Sequence, residues 1–368
     1  MAKLLTPLSI IFFSLSFLVI LRVFFLGVYP DFTVYYNGSL SFLHGQNPYI
    51  KTPDYFSNYV YPPFAVLLFL PFSLIDPHIA SLLFTFISLL SAVFGVYFCL
   101  KALREDKASV FLIATALLFL AFPTKFTFGM GQVNLVVFLL LSLAFFFWKR
   151  RNPIIAGVFL GLCFSIKLFP FLLLVYFLLR KDWRILVSSA ITFVVIAVLT
   201  GLITGFSLYS YFFQNILPGI ASSYQSGYYN QALSGFFARL PLDREIGMVL
   251  KTSISLLFIV ATFLIVYLRR KNQSLSSLMF TILITLSLIV NPFSWQHHFV
   301  WLILPFLVTF YAIKRRDFFS YIFLFLSYVL IAMNIRYPDT LYLLLQSHVL
   351  FGAILLWLLQ LKLLWDKK

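Results

Sequence analysis

Charged residues are scarce in this chain of 368 residues: they make up 10% of it, whereas hydrophobic residues make up 62%. A soluble domain averages about 25% charged residues. The scarcity excludes water-soluble enzymes, nucleic-acid binders and disordered linkers, because no soluble fold of this length buries so much apolar surface. The composition therefore predicts an all-α polytopic membrane protein.

Cysteine and acidic residues are also rare. The two cysteines, Cys99 and Cys163, lie in apolar runs and match no metal-binding spacing, so we expect no disulfide framework. Aspartate and glutamate together number eleven, and only two are glutamates. Each ionisable residue outside the basic loops is therefore a candidate for function.

Ten apolar runs are candidates for membrane-spanning helices, which need about 20 residues. The first resembles a signal peptide, but it is long and no small-residue cleavage site follows, so we expect a retained anchor. The runs are 4–26, 79–100, 108–122, 132–148, 185–205, 248–268, 275–290, 299–313, 318–335 and 341–361.

The net charge of +16 sets the predicted orientation, because basic residues favour the cytoplasmic side. One topology places 19 of the 27 Lys and Arg residues inside, namely Lys3 and the basic clusters at 101–107, 149–151, 180–184, 269–271, 314–316 and 362–368. It requires that residues 61–76 do not span, and that 154–180 form a hairpin of two short helices turning near Lys167 and Pro170. The result is a single integral membrane domain, 1–368, of about 12 segments in the cell (plasma or inner) membrane. Both termini are cytoplasmic, and the large outer segments are 28–61 and 206–247.

The unusual polar residues all fall on the predicted outer side. A purely structural bundle does not need this asymmetry, whereas a water-filled site that opens outward does. These residues are Asp31, His44, Gln46, Asn47, Lys125, Gln132, Asn134, Lys167, Asn230, Gln231, Arg239, Gln296, His297, His298 and Arg336.

Two of these residues have a functional and a structural interpretation. Asp31 follows the first span directly and is either the N-cap of a short interfacial helix or a carboxylate that acts as a base. Lys167 lies within an apolar run, where its amine either snorkels to the outer interface or contacts an anion borne by a lipid. We favour the anion contact.

The remaining motifs are weaker individually. Adjacent His297 and His298 permit a metal site, but neighbouring helical side chains diverge by about 100° and no acid is nearby, so we favour a donor to phosphate or sugar. Arg239 is equally consistent with phosphate binding and with a solvated loop. Trp295 is either a ligand of the site or a residue of the aromatic belt at the membrane interface. The glycines at 129 and 131 open a helix, and the N-terminus of a helix favours anions.

Taken in order, these segments resemble glycosyltransferase family 87, within the C-type membrane glycosyltransferase superfamily. The matching residues are Asp31 with Tyr35 and Tyr36, the segments 45–49, 59–63, 131–134 and 157–170, Asn230 to Leu233 with Arg239, and Trp295 to His298. The resemblance implies a C-type bundle with the site on outer loops and Asp31 as the catalytic residue. It also implies an enzyme that uses a polyprenyl-phosphate sugar, typically mannose, to build α-linked mannosides outside the membrane. Asp31 is not part of a paired acidic motif, so no cofactor is expected and a divalent metal is not favoured.

The chemistry of such a transfer agrees with the residues present. A polyprenyl phosphate leaves without protonation, so one carboxylate that accepts the proton of the acceptor hydroxyl is sufficient and the transfer inverts the sugar. Cations must hold the developing phosphate charge. We assign Asp31 as the base and Lys167, Arg239, His297 and His298 as phosphate ligands. The expected ligands of sugar and acceptor are Tyr35, Asn47, Tyr61, Gln132, Asn134, Asn230, Gln231, Trp295 and Gln296.

Other functions stay open at this point. A flippase or transporter of lipid-linked glycans would share the basic cavity, although transporters usually show repeats and ionisable residues at the midplane. A polymerase or ligase of surface glycans would use an oligosaccharide donor instead. The expected partners are a polyprenyl-phosphate sugar, a lipid or glycan acceptor and membrane lipid, with no nucleic acid.

Overall fold

The computed structural model describes residues 2–26, 29–51, 53, 55–168, 171–223, 226–335 and 343–366. Within these ranges the regular structure is helical. Pro170, Arg336, Lys367 and Lys368, which entered the predicted topology or the outer polar group, lie outside the described residues. The helices are α1 (Ala2–Leu26), α2 (Pro30–Leu43), α3 (Phe64–Phe69), α4 (Pro77–Ala102), α5 (Ala108–Leu120), α6 (Phe122–Met130), α7 (Asn134–Lys149), α8 (Pro153–Ile166), α9 (Leu172–Arg180), α10 (Trp183–Thr204), α11 (Phe206–Tyr211), α12 (Leu217–Ser223), α13 (Leu233–Arg239), α14 (Arg244–Arg269), α15 (Ser276–Val290), α16 (Ile303–Ala312), α17 (Phe318–Ala332), α18 (Leu343–Gln346) and α19 (His348–Asp366).

Short polar side chains determine where several apolar helices begin. Asp76 accepts hydrogen bonds from the backbone N–H groups at the start of α4, Asn152 does so for α8, Asp243 for α14 and Asp317 for α17. Such caps satisfy N–H groups that have no partner within the helix. Three of the eleven acids of this chain, Asp76, Asp243 and Asp317, therefore serve as helix caps.

Six helices among the described residues are long and apolar enough to cross a membrane, and the number is seven if the bent pair α5–α6 counts as one span. This agrees with a polytopic membrane protein. The number of about 12 segments is not confirmed and stays a prediction, because several of the predicted runs form shorter helices. One example is α7, which has 16 residues.

The structure has short helices at the two places where the predicted topology requires unusual features, while the hairpin turn near Lys167 and Pro170 and the membrane sidedness stay predictions. Residues Phe64–Leu74 form α3 and a following 3-10 helix, which together reach about 19 Å and so cannot cross a hydrocarbon core of about 30 Å. The apolar run after Asn152 breaks at Lys167, whose backbone is extended (φ −142°, ψ 122°). The helices on either side, α8 and α9, have 14 and 9 residues, so neither spans alone.

The chain divides into two compact units. The first unit contains Met1–Leu120, Thr124–Leu168 and Arg184–Ser222, and the second contains Ala121–Pro123, Phe169–Trp183 and Ser223–Lys368. In the first, α4 packs on α7, α1 on α5, and α7 on α8. In the second, α15 is the central helix and contacts α9, α14, α16 and α19.

A buried amide joins three helices of the second unit. The Gln360 side chain on α19 accepts a hydrogen bond from Thr285 and donates to Thr281 on α15 and to Thr309 on α16. Interhelical hydrogen bonds of this kind stabilise helix association in membranes by about 0.6 to 2 kcal/mol each. This amide therefore has a structural role.

Candidate active site

Asp31 lies in the first turn of α2 and is almost fully buried. Tyr29 precedes the helix in the left-handed conformation (φ 49°), and Pro30 occupies the first helical position, which needs no N–H donor. The short helix after the first span is therefore present, but its N-cap is Tyr29. The interpretation of Asp31 as the N-cap is wrong, because within the described part of the chain its side chain accepts a hydrogen bond from a distant residue, Gln132.

Gln132 reaches Asp31 because α6 ends at Met130, two residues before Gln132. Gly131 has a left-handed φ of +69°, its N–H donates to the Phe128 carbonyl, and the N–H of Gln132 donates to the Thr127 carbonyl. This is a Schellman C-cap. A Cβ atom at Gly131 would lie 2.6 Å from the Cβ atom of Phe32 on α2. Only glycine combines this backbone conformation with the close approach of α2.

The Gln132 side chain connects three buried groups of the first unit. Its Nε2 donates to Asp31 Oδ2 at 2.5 Å and to the Tyr61 hydroxyl at 3.1 Å. Its Oε1 accepts a hydrogen bond from the Tyr35 hydroxyl at 2.9 Å. The Tyr35 ring lies 4.5 Å from that of Tyr61 and stacks on Phe69 at 4.2 Å. Both tyrosines are thus held by the core of the unit.

Lys167 joins the same cluster where α8 breaks. Its Nζ donates to Asn134 Oδ1 at 2.7 Å and lies 5.9 Å from the centroid of the Tyr61 ring. Asn134 is fully buried at the start of α7, directly after the segment that contains Gln132. We use the name carboxylate cluster for Asp31, Tyr35, Tyr61, Gln132, Asn134 and Lys167, six predicted site residues that the structure brings together.

The surroundings of Asp31 alter its acidity. Burial raises the pKa of this carboxyl from its ordinary value of 3.8 to about 6, against the opposing effects of the Gln132 hydrogen bond and the Lys167 charge. A base is most effective when its pKa approaches the working pH. The cluster therefore gives Asp31 a pKa suited to proton transfer near neutrality.

Asn47 belongs to a turn that supports Tyr61. Its Oδ1 accepts a hydrogen bond from the Tyr49 N–H at 2.9 Å, and the Tyr49 hydroxyl donates to the Tyr61 carbonyl at 2.8 Å. Asn47 itself is partly exposed. Its observed contact thus shapes the turn, and its role as a sugar ligand stays a prediction.

The second unit holds the other predicted residues. Asn230 and Trp295 form an antiparallel bridge, in which the N–H of Gln231 donates to the Ser294 carbonyl and the N–H of Gln296 to the Tyr229 carbonyl. The Asn230 Oδ1 accepts from the backbone of Ala232 and Ser294 at 3.3 Å each. We use the name bridge cluster for Asn230, Gln231, Arg239, Trp295, Gln296, His297 and His298.

Most side-chain amides and the guanidinium of the bridge cluster bind backbone carbonyls. Gln231 Nε2 donates to the carbonyls of Tyr228 and Gln346, both at 2.7 Å, and Gln296 Nε2 donates to that of Met333 at 3.3 Å. Arg239 Nη1 donates to the carbonyls of Gly227 (3.0 Å) and Asn230 (2.8 Å). These bonds fix the connecting segments in place.

Arg239 completes this arrangement through Nη2, which donates to the Ser347 hydroxyl at 2.7 Å. Burial lowers the pKa of its guanidinium to about 10, and the group stays charged at neutral pH. A solvated loop position is wrong for this residue, because it is largely enclosed by its own chain. Its assignment as a phosphate ligand stays a prediction.

The two histidines of the bridge cluster are buried between aromatic rings. His297 stacks on Trp295 and His298 on Trp301, while the backbone N–H of Trp295 donates to His298 Nδ1 at 3.1 Å. The two imidazole rings are inclined by 81° to each other. In the described ranges no group of three or more His, Cys, Asp or Glu side chains is placed to hold a metal ion.

Sequence reasoning missed His348, which begins α19. Its Nδ1–H donates to the Leu330 carbonyl at 2.7 Å and its Nε2 accepts from the Ile335 N–H at 3.1 Å, so the ring is the neutral Nδ1–H tautomer in this arrangement. The neighbouring Ser347 hydroxyl and Gln346 carbonyl accept hydrogen bonds from Arg239 and Gln231 of the bridge cluster. The polar run Gln346-Ser347-His348 inside the predicted span 341–361 was the signal that could have revealed it.

Comparison with known proteins agrees with the sequence resemblance. Residues 59–292 match the family model of glycosyltransferase family 87. A polyprenol-phosphate-mannose-dependent alpha-(1-2)-phosphatidylinositol mannoside mannosyltransferase of Mycobacterium tuberculosis is 28% identical over 295 residues, which cover 74% of this chain and 68% of that protein.

A second relative comes from Mycolicibacterium smegmatis. It is a polyprenol-phosphate-mannose-dependent alpha-(1-2)-phosphatidylinositol pentamannoside mannosyltransferase, 27% identical over 256 residues, which cover 69% of this chain and 61% of the relative. The chain therefore matches about two thirds of the length of these relatives.

Proposed function

The chain belongs to glycosyltransferase family 87, and we propose that it transfers mannose from a polyprenyl-phosphate donor to a hydroxyl of a membrane glycolipid. The observation that carries this proposal is the carboxylate cluster. It places a buried carboxylate, Asp31, and a lysine amine, Lys167, within one hydrogen-bonded group of side chains. A base and a phosphate-binding cation are the two groups that this reaction requires.

The proposed step is a single displacement. The acceptor hydroxyl oxygen attacks C1 of mannose while the bond from C1 to the phosphate oxygen breaks, and its electron pair leaves with polyprenyl phosphate. The hydroxyl proton passes to Asp31, and Lys167 stabilises the charge that develops on the phosphate. Attack opposite the leaving group inverts the configuration at C1.

A partly open apolar pocket in the first unit is where we place the start of the lipid part of this donor. Its lining contains chain neighbours of both Tyr61 and Lys167, namely Pro62, Ser165 and Leu168, together with Phe64 and Phe212. Phe212 opens a π-helical turn, Phe212–Ile216, and such turns are frequent at functional sites. We assign this pocket to the isoprene units next to the phosphate.

The acceptor and the side of the membrane are also part of the proposal. The names of the two relatives specify alpha-(1-2) transfer and phosphatidylinositol mannosides, which supports a lipid-borne mannoside whose 2-hydroxyl is the nucleophile. The basic clusters support an outer-facing carboxylate cluster and cytoplasmic termini.

The test is a transfer assay with purified protein in liposomes. Donor labelled in its mannose is supplied with a phosphatidylinositol mannoside, with a soluble mannoside or with no acceptor, and Asp31→Asn is assayed in parallel. We expect label in the lipid acceptor and equimolar release of polyprenyl phosphate by the wild type. Folded wild-type protein that moves no label to any acceptor contradicts the transfer. Label in the soluble mannoside but not in the lipid overturns the choice of acceptor.

A further inference from the structure

The hydrogen bonds that Gln132 makes within the protein differ from those expected of a sugar ligand. A glutamine amide has two N–H donors. In this structure one goes to Asp31 Oδ2 and the other to the Tyr61 hydroxyl, while Oε1 accepts from the Tyr35 hydroxyl. No N–H group of this amide is left to bind a sugar hydroxyl.

The same contacts determine which way the amide faces. The ionised Asp31 carboxylate only accepts hydrogen bonds, so it requires Nε2 on its side, and the Tyr35 hydroxyl donates to Oε1 and anchors the amide in that orientation. A flipped amide would direct Oε1 at the carboxylate, with repulsion between two acceptors. Tyr35 is fully buried and stacked on Phe69, so its hydroxyl is a fixed reference point.

Gln132 also distinguishes the two oxygens of the carboxylate. It binds Oδ2, whereas Oδ1 accepts no hydrogen bond from the described residues. A base must present a lone pair within about 3 Å of the proton that it removes. Fixing Oδ2 stops rotation of the carboxylate and leaves Oδ1 for the acceptor hydroxyl.

We infer that Gln132 is a positioning residue, which orients the Asp31 carboxylate so that Oδ1 faces the acceptor, and that Tyr35 fixes the orientation of its amide. This inference rests on the proposed function and deepens it. It replaces direct sugar binding as the role of Gln132. The Gly131 cap ends α6 close to α2, and this places the Gln132 side chain beside Asp31.

The test uses Gln132→Met, which keeps the length and volume of the side chain but has no N–H donor. We expect kcat to fall 10- to 100-fold with donor and acceptor KM within about threefold of wild type, because positioning acts on the transition state. We also expect the acidic limb of the pH–rate profile to move to higher pH, because the lost N–H stabilised the ionised carboxylate. Lys167 and the two tyrosines, the other titratable groups in the cluster, are unchanged in this variant.

Tyr35→Phe is the second variant. It keeps the ring stack and removes only the hydroxyl that fixes the amide, so we expect the same direction of change with a three- to tenfold fall in kcat. Tyr55→Phe is its matched control, because Tyr55 is a buried tyrosine of the same unit whose hydroxyl bonds Ser41 and the Pro48 carbonyl. We expect wild-type kinetics for this control.

Gln360→Met controls for the loss of a buried amide. Gln360 makes three hydrogen bonds in the second unit. We expect a lower unfolding temperature and an unchanged pH–rate profile. The inference is overturned if Gln132→Met raises KM at constant kcat, or if it leaves kcat and the acidic limb unchanged while Asp31→Asn is inactive. Failure of the proposed function would look different, because the wild type itself would transfer no mannose.

Discussion

The carboxylate cluster of the first unit and the bridge cluster of the second both bury amides, aromatic rings and a cation, but their hydrogen bonds end on different partners. In the first, Gln132 and Lys167 bond to other side chains, and one of these is a carboxylate. In the second, Gln231, Gln296 and Arg239 bond mainly to backbone carbonyls. The first set of bonds orients a carboxylate and an amine, the groups that proton transfer and phosphate binding need, whereas bonds to backbone carbonyls hold connecting segments in place. We therefore place the chemistry in the first cluster.

The largest expected effect is that of Asp31→Asn. The amide has the same shape but cannot accept the acceptor proton, so we expect kcat to fall by about 10³-fold with little change in the unfolding temperature. Asp243→Asn, at the N-cap of α14, is the matched control, because asparagine caps a helix as well as aspartate does. Equal activity of Asp31→Asn and wild type would show that Asp31 is not the base.

Lys167→Met comes next. Removing the cation leaves the developing phosphate charge without its partner, so we expect kcat/KM for the lipid-phosphate donor to fall by about 10²-fold. Lys125→Met, on α6 of the same unit, tests whether any half-buried lysine has this effect, and we expect a change of less than threefold. A similar loss in both variants would mean that overall positive charge is what matters.

The pH dependence should follow Asp31. Because burial raises the pKa of this carboxyl to about 6, the group is ionised and able to act as a base above pH 6 and is protonated below it. We therefore expect kcat/KM to rise about tenfold per pH unit as the pH increases toward 6. The acidic limb should be absent from the residual activity of Asp31→Asn. An unchanged limb in that variant would assign it to another group.

The smallest effect on catalysis is expected in the second cluster. Arg239→Met removes three hydrogen bonds to Gly227, Asn230 and Ser347, so we expect the free energy of unfolding to fall by about 2–3 kcal/mol. Activity per folded molecule should change by less than about threefold. Denaturant unfolding and donor titration measure the two quantities. A rise in donor KM of tenfold or more at unchanged stability would instead support the phosphate assignment.

Local patterns in the sequence predicted much of what the structure shows. The membrane class, the short helix after the first span and the break at Lys167 follow from hydrophobic run lengths and from single polar residues within them. The number of spans could not be predicted as directly, because several apolar runs form helices that are shorter than a membrane span. The helix caps at Asp76 and Asp243 satisfy the standard rule for short polar residues.

The roles of the polar residues were harder to predict, because each role depends on a partner that is remote in the chain. Gln132 is of the right type for binding a sugar, but its partner Asp31 is 101 residues away. Arg239 is of the right type for binding phosphate, but its Nη2 donates a hydrogen bond to the hydroxyl of Ser347, which is 108 residues away. No periodicity encodes such pairings.

The sequence by itself determined that this protein is a helical membrane protein, because composition and run length are properties of the chain alone. It also determined the short set of polar residues from which a site can be built. Only the tertiary structure decided which of them meet. The Gly131 cap and the break at Lys167 bring an amide, a carboxylate and an amine together in one buried cluster, where the cost of burying polar groups without partners forces them to bind one another.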